Sequence, residues 1–357
     1  LSISVLPASA FITTIPRDPQ ALGPTPTPWP TYTLVPTLTA TPTEIPWPVA
    51  PGTALPPVLE TWWQAPEILR CTPMTSAPVY ALSVGEDEVW INTTSTFTRY
   101  QLSTMHRNTE IQLPREFDLM ALSSSAHLAA LSRRNDIWLY ALPEWRPVLR
   151  TRISTLSAVT VMAYNSAGNQ IALGLETGHI WINDTHTGAL INLIAGHSSP
   201  VTALAFDIPD RIYSGSQDGS INIWDYQKNS VANPYAGHSA EVQFLRPGDS
   251  ELVSVDVSGR IIIWDNTTGQ MLRERRIAGP PRIILALWDA FEDTAAGPRE
   301  YVILGAAKDK LFTLDSDMNY LPLFTMTGQV TGLYPVNEKY LLVSVNEHQL
   351  CILGTPR

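Results

Sequence analysis

Residues 195–225, AGHSSPVTALAFDIPDRIYSGSQDGSINIWD, constrain the fold more than any other part of the 357-residue chain. A Gly-His pair precedes an alternating run at Val201, Ala203 and Ala205. A second short run ends in Ser214-Gly215-Ser216, an Asp218-Gly219 turn follows, and residues 221–224 close the unit on Trp224. Period-two alternation cut by tight turns specifies short strands, and this stretch reads as most of one four-stranded antiparallel sheet.

These residues resemble the WD-repeat family of β-propellers, whose repeats of about 40–45 residues carry Gly-His near the start and Trp-Asp near the end. The resemblance implies a wedge-shaped blade in which His197, Ser214, Asp218 and Trp224 form a hydrogen-bonded tetrad. A buried network of that kind, with every polar group satisfied, braces a sheet; it is the structural alternative to a Ser-His-Asp catalytic site. Positions matching Trp224 are Tyr100, Tyr140, Asn183, Trp264, Leu314 and Leu353, so that successive units are 40, 43, 41, 40, 50 and 39 residues apart. The expectation is an all-β, seven-bladed propeller of four-stranded antiparallel blades over residues 61–357. Asp follows the matched position at Asp184, Asp225, Asp265 and Asp315. Blade five keeps a partial tetrad, His238, Ser254 and Trp264, with Ser258 where blade four has Asp218, so only blade four is expected to be complete. Blade six carries an insertion at 291–300, which accounts for its longer spacing.

Only four residues follow Leu353, so the seventh blade has three strands of its own, drawn from VTGLY, LLVSV and HQLCILG. An open edge is an aggregation hazard and a ring needs closure. EILRCTPMTSAPV (67–79) aligns without a gap on ALINLIAGHSSPV (189–201), the outer strand of blade three and the start of blade four. Residues 67–72 are therefore expected to complete the last blade. The two cysteines, Cys71 on this strand and Cys351 on its neighbour, then face either a disulfide or separate lives as small buried apolar residues. A one-residue slip in register decides between the two. A bridge would indicate an oxidising compartment.

Residues 1–60 hold 14 of the 30 prolines, 11 threonines and a single basic residue, Arg17. Each proline removes a donor and restrains its neighbour, so the segment is an extended linker or stalk, or a disordered tail. Such spacers resemble the stalks of bacterial envelope proteins. Trp29, Trp47, Trp62 and Trp63 are more apolar than a solvated tail requires, which points part of the segment toward a partner or the propeller. The opening LSISVLPASA resembles the end of an apolar export segment with a small-residue cleavage pattern. The expected location is extracytoplasmic, on the cell envelope or tethered to a membrane through the N-terminus, with the cytoplasm as the alternative. No stretch of eighteen apolar residues occurs in the chain.

A formal charge of −10 argues against general nucleic-acid binding. No nucleophile elbow, HExxH, Walker loop, GxGxxG or paired CxxC is present, and the seven histidines are scattered. Asp315, Asp317 and Asn319 begin like a calcium loop, but Tyr320 replaces the required glycine, and a plain turn is the expectation. No metal or cofactor is expected. Two arginine groups stand out on expected outer strands or the loops that follow them: Arg273, Arg275, Arg276 and Arg282, and separately Arg146, Arg150 and Arg152. They suit either contacts with an acidic partner or charge that discourages strand pairing. The function expected is non-catalytic protein–protein scaffolding, with the partner's identity open. The rival readings are a sensor ectodomain of a bacterial membrane serine/threonine kinase, a propeller enzyme and a structural subunit of a surface assembly.

Overall fold

The computed structural model describes residues 67–354 apart from 74–79, 85–87, 94–95, 102–103, 105, 114–116, 124–125, 143, 151, 208–210, 226–229, 249, 278–285, 290–300, 315–317, 319, 338–339 and 347–348. The Pro/Thr-rich segment at 1–60, Trp62 and Trp63, the insertion at 291–300, Arg282 and the calcium-like residues Asp315, Asp317 and Asn319 lie outside the described residues.

Seven antiparallel sheets follow one another along the chain. Blade four, for example, is built from Val201–Asp207, Arg211–Ser216, Ile221–Asp225 and Ser230–Tyr235, paired in that order. First strands touch their counterparts in neighbouring blades, Val159–Tyr164 against Val201–Asp207 and Val201–Asp207 against Val242–Pro247, which sets them around the centre of the ring. All seven positions matched to Trp224 fall on third strands. Among the described residues no helix is long and apolar enough to cross a membrane.

The repeat length follows from two-sided burial. Successive side chains of a strand point to opposite faces, so a strand between two neighbours must be apolar on both. Second strands are buried on both faces, with apolar residues apart from Ser214, Ser216, Ser254 and Asp256: in Gln170–Leu175, Arg211–Ser216 and Glu251–Asp256 every residue after the first is buried. Blade four then divides its side chains. Ile212 and Trp224 pack toward blade three with Ile180, Ile182 and Ile194, while Tyr213, Ile221 and Ile223 pack toward blade five with Leu252 and Trp264. Similar clusters join blades one and two, two and three, five and six, and six and seven.

Blade two departs from the four-strand expectation at its outer edge. Two short pieces, Arg146–Pro147 and Ile153–Ser154, both pair with Asp136–Ala141. Trp145 adopts a left-handed backbone (φ 55°) and turns its ring inward between Phe97 of blade one and Tyr140, at centroid distances of 5.3 and 5.6 Å. Val148 and Leu149 then join the core shared with blade three, together with Ile153. The outer strand is broken because its apolar residues fill the wedge between blades instead of continuing a ladder.

Glu67–Pro73 forms the fourth strand of the last blade, antiparallel to Gln349–Gly354. Cys71 lies directly opposite Cys351, and the two are joined as a disulfide across 280 residues. Ile68 and Cys71 pack onto the core shared by blades six and seven. A cross-link spanning so long a loop removes much freedom from the unfolded chain. Reduction, or Cys351→Ser, is expected to lower the unfolding free energy by roughly 3–5 kcal/mol. Urea denaturation with and without reductant measures this, and an unchanged midpoint would contradict a stapled closure.

Candidate interaction surface and its buried braces

In blade five the outer strand of blade four ends at Tyr235 and hands over through Gly237 to His238. A side chain at Gly237 would collide with Trp264, its Cβ falling 2.5 Å from the indole, so the Gly of the Gly-His pair is a packing requirement. His238 Nε2 lies 2.7 Å from Ser254 Oγ, Trp264 Nε1 donates to the same oxygen at 2.7 Å, and His238 Nδ1 lies 2.8 Å from Asp256 Oδ2. The carboxylate only accepts, so Nδ1 carries the proton, and Ser254 donates to Nε2 while accepting from the indole. Each ring nitrogen is satisfied with the imidazole neutral.

Asp256 corrects the expectation that blade five lacks an acid. Ser258 does sit where blade four has Asp218, but the acid stands two residues earlier, at the end of the second strand, fully buried. The two blades exchange residue types: Asp256 and Ser258 in one occupy the positions of Ser216 and Asp218 in the other. Asp256 Oδ1 accepts from Ser258 Oγ (2.6 Å), Ser258 N (2.9 Å) and Arg260 N (3.1 Å). Burial opposes ionisation of this carboxyl, but the donors from Ser258, His238 and Arg260 outweigh it and hold its pKa below the ordinary carboxylate value.

In blade four His197 Nε2 lies 2.7 Å from Ser214 Oγ, which accepts from Trp224 Nε1 at 2.8 Å. The other ring nitrogen meets Ser220 Oγ at 2.9 Å, and Ser220 in turn bonds Asp218. The acid therefore acts through an interposed hydroxyl, where blade five makes the direct contact. Gly219 holds the turn at φ 85°, and a Cβ there would approach the His238 carbonyl to 2.8 Å, so this turn is also where blade four meets blade five.

Burial pushes the pKa of both imidazoles below 6.5, against the upward pull of Asp218 on His197 and of Asp256 on His238. The folded state thus binds fewer protons than the unfolded chain just below pH 6.5. The contribution is complete above the unfolded value and is lost as pH falls through it toward the depressed folded value. Urea titrations between pH 7.5 and 5 should show stability declining, and His238→Gln should remove part of that slope; a flat profile would contradict neutral imidazoles. Asp256→Ala should cost about 2–4 kcal/mol, since it strands a buried imidazole N–H, and Asp218→Ala should cost about 1 kcal/mol or less. Equal losses would contradict the difference between the two braces.

Two further devices hold the blades: the threonine bonds were not singled out in the sequence, and Asp184 and Asp265 were noted there only by position. Thr160 donates to the Val201 carbonyl and Thr202 to the Val242 carbonyl (2.6 Å), each reaching from one first strand to the next. The signal is the Val-Thr pair repeated at 159–160 and 201–202. Asp184 and Asp265, which follow the matched third-strand position, each accept from two backbone amides and one threonine hydroxyl in the turn to the outer strand. The recurring pattern D-x-x-T-G records these turns.

The arginines of blade five's outer strand, Met271–Arg276, face several partners. Arg273 pairs with Glu251 at 2.6 Å, Arg275 reaches blade six by donating to the Met318 carbonyl at 2.8 Å, and Arg276 meets Ser258 Oγ at 3.3 Å. Arg260 pairs with Glu274 and also donates to the Gly237 carbonyl. Arg260, Glu274, Arg275 and Arg276 line a groove of about 330 Å³ with Ser239. The second group is dispersed: Arg152 pairs with Asp136 at 2.7 Å, and Arg146 stands 3.9 Å from Glu144. Among the described residues no three or more His, Cys, Asp or Glu side chains gather as a metal site.

A family model described as "WD domain, G-beta repeat" matches residues 188–225. The chain is similar to target of rapamycin complex subunit wat1 of Schizosaccharomyces pombe, 34% identical over 92 residues, covering 24% of this chain and 29% of that protein. It is similar also to nuclear distribution protein nudF of Aspergillus niger, 32% identical over 123 residues, covering 32% of this chain and 28% of that protein. The matched regions thus span less than a third of these relatives. A solved structure of U3-55K superposes with a TM-score of 0.64 at 12% identity, covering 82% of this chain and 100% of that one, a likeness of fold alone. The topology is that of a seven-bladed β-propeller, and over residues 188–225 the chain is similar to the WD-repeat family.

Proposed function

We propose that this chain is a non-catalytic scaffold that binds protein partners through the loops and outer edges of a rigid ring, and that it acts outside the cytoplasm. The carrying observation is that the groups best suited to acid–base chemistry, His197, His238 and Asp256, are engaged as braces between strands. A ring held this way presents its loops in a fixed arrangement and limits the entropy lost on association. Relatives named as complex subunits, such as the target of rapamycin complex subunit, support the reading. The Cys71–Cys351 bond supports an oxidising compartment, and the Pro/Thr-rich segment at 1–60 supports tethering at a distance from a membrane. The groove beside Arg275 and Arg276 suits an acidic side chain of the partner, because guanidinium groups bind carboxylates in a forked geometry.

Cross-linking mass spectrometry on intact cells, with peptides mapped without reduction, tests this. Reproducible cross-links from propeller loops to one envelope protein, together with a linked Cys71–Cys351 peptide, are expected. Free thiols and cytoplasmic neighbours only would overturn the location. Arg276→Glu should lower the cross-link yield several-fold without shifting thermal stability. An unaffected yield would remove the groove from the binding surface.

A further inference from the structure

We propose that the outer edge of blade three, Leu190–Ala195, pairs with the same strand of a second copy of this chain. This strand ends its sheet, hydrogen-bonded on one side to His179–Asp184 with a bulge at Ile191, so from Asn192 to Ala195 its other side presents backbone donors and acceptors. Leu190, Ile191 and Leu193 are 46%, 47% and 47% exposed along it. Its sequence, LINLIA, contains neither a charge nor a proline.

Every other outer edge is guarded. The closing strand Glu67–Pro73 has Glu67, Arg70 and Pro73; Ser230–Tyr235 has Pro234; Tyr320–Thr325 has Pro322; and Met271–Arg276 is mostly charged. Blade two is broken at Arg146–Pro147. His106–Gln112 is polar and exposed along almost its whole length, so it offers no apolar surface to cover. Proline removes a ladder donor and charge resists dehydration, so these edges are closed to pairing in a way that blade three is not.

The absence of charge also selects the occupant. A closed dimer is two-fold symmetric, so an antiparallel edge meets itself and its central residue faces its own copy. At blade three that residue is Asn192 or Leu193, and neither repels itself. At blade five it would be Arg273 against Arg273 or Glu274 against Glu274, and at the closing strand Arg70 against Arg70. A different protein could answer such charges with opposite ones; a second copy cannot. The strand carries no charge of its own, so two copies meet there without like charges placed directly opposite each other.

Sedimentation velocity on the full chain tests the pairing, over concentrations from about 1 to 100 µM because an edge contact is small. A concentration-dependent dimer is expected. Leu193→Lys and Leu193→Glu should each weaken it at least tenfold, an equimolar mixture of the two variants should restore it, and Leu272→Lys on blade five should leave it unchanged. Restoration on mixing separates lost pairing from damaged folding. A chain that stays monomeric throughout overturns the proposal and leaves the edge to a strand from another protein. A dimer indifferent to charge at 193, or a mixture that fails to restore it, overturns the proposal as well.

Discussion

The pairing of Glu67–Pro73 with Gln349–Gly354 is the constraint on which the ring depends. Each blade buries both faces, so each needs a neighbour on both sides, and a circle with one blade short of a strand would expose the core shared by blades six and seven. The closing strand supplies the outer edge of the last blade, and Ile68 and Cys71 cover that core. Placing the disulfide at this seam is economical in physical terms. Its partners are the farthest apart in sequence of any adjacent strands, so a bond there constrains the unfolded chain most.

Among the described residues, blades four and five carry a histidine–serine–tryptophan network in addition to the apolar packing between blades. The networks in blades four and five are not copies of each other. One places a carboxylate against imidazole directly, and the other passes through Ser220. In both, burial disfavours the charged form of the histidine. The threonine bonds from first strand to first strand and the reach of Arg275 to the Met318 carbonyl then tie neighbouring blades together, so strain in one is shared with the next.

Much of this architecture was legible in the sequence because it rests on periodicity. The third-strand positions from Tyr100 to Leu353 carried blade number, and the gapless match of 67–79 to 189–201 carried the closure. Opposition of Cys71 and Cys351 needed the observed register, which spacing alone does not determine. The acid of blade five was missed because alignment compares positions while a hydrogen bond compares atoms. Asp256 reaches His238 from a site that blade four fills with Ser216. The broken edge of blade two was not legible either, because only the wedge between blades makes burying Trp145, Val148 and Leu149 preferable to continuing the ladder. The Val-Thr and D-x-x-T-G patterns were visible but carried no meaning until their hydrogen-bond partners were in place.

The claim that the chain's two described ends are held together as one sheet is tested most directly by hydrogen exchange. Amides of Gln349–Gly354 should exchange as slowly in the intact chain as those of a central-blade strand such as Arg260–Asp265, and deletion of residues 1–73 should accelerate them by orders of magnitude while blade five stays protected. Exchange at Gln349–Gly354 that is fast in the intact chain, or unaltered by the deletion, would contradict closure by the N-terminal strand.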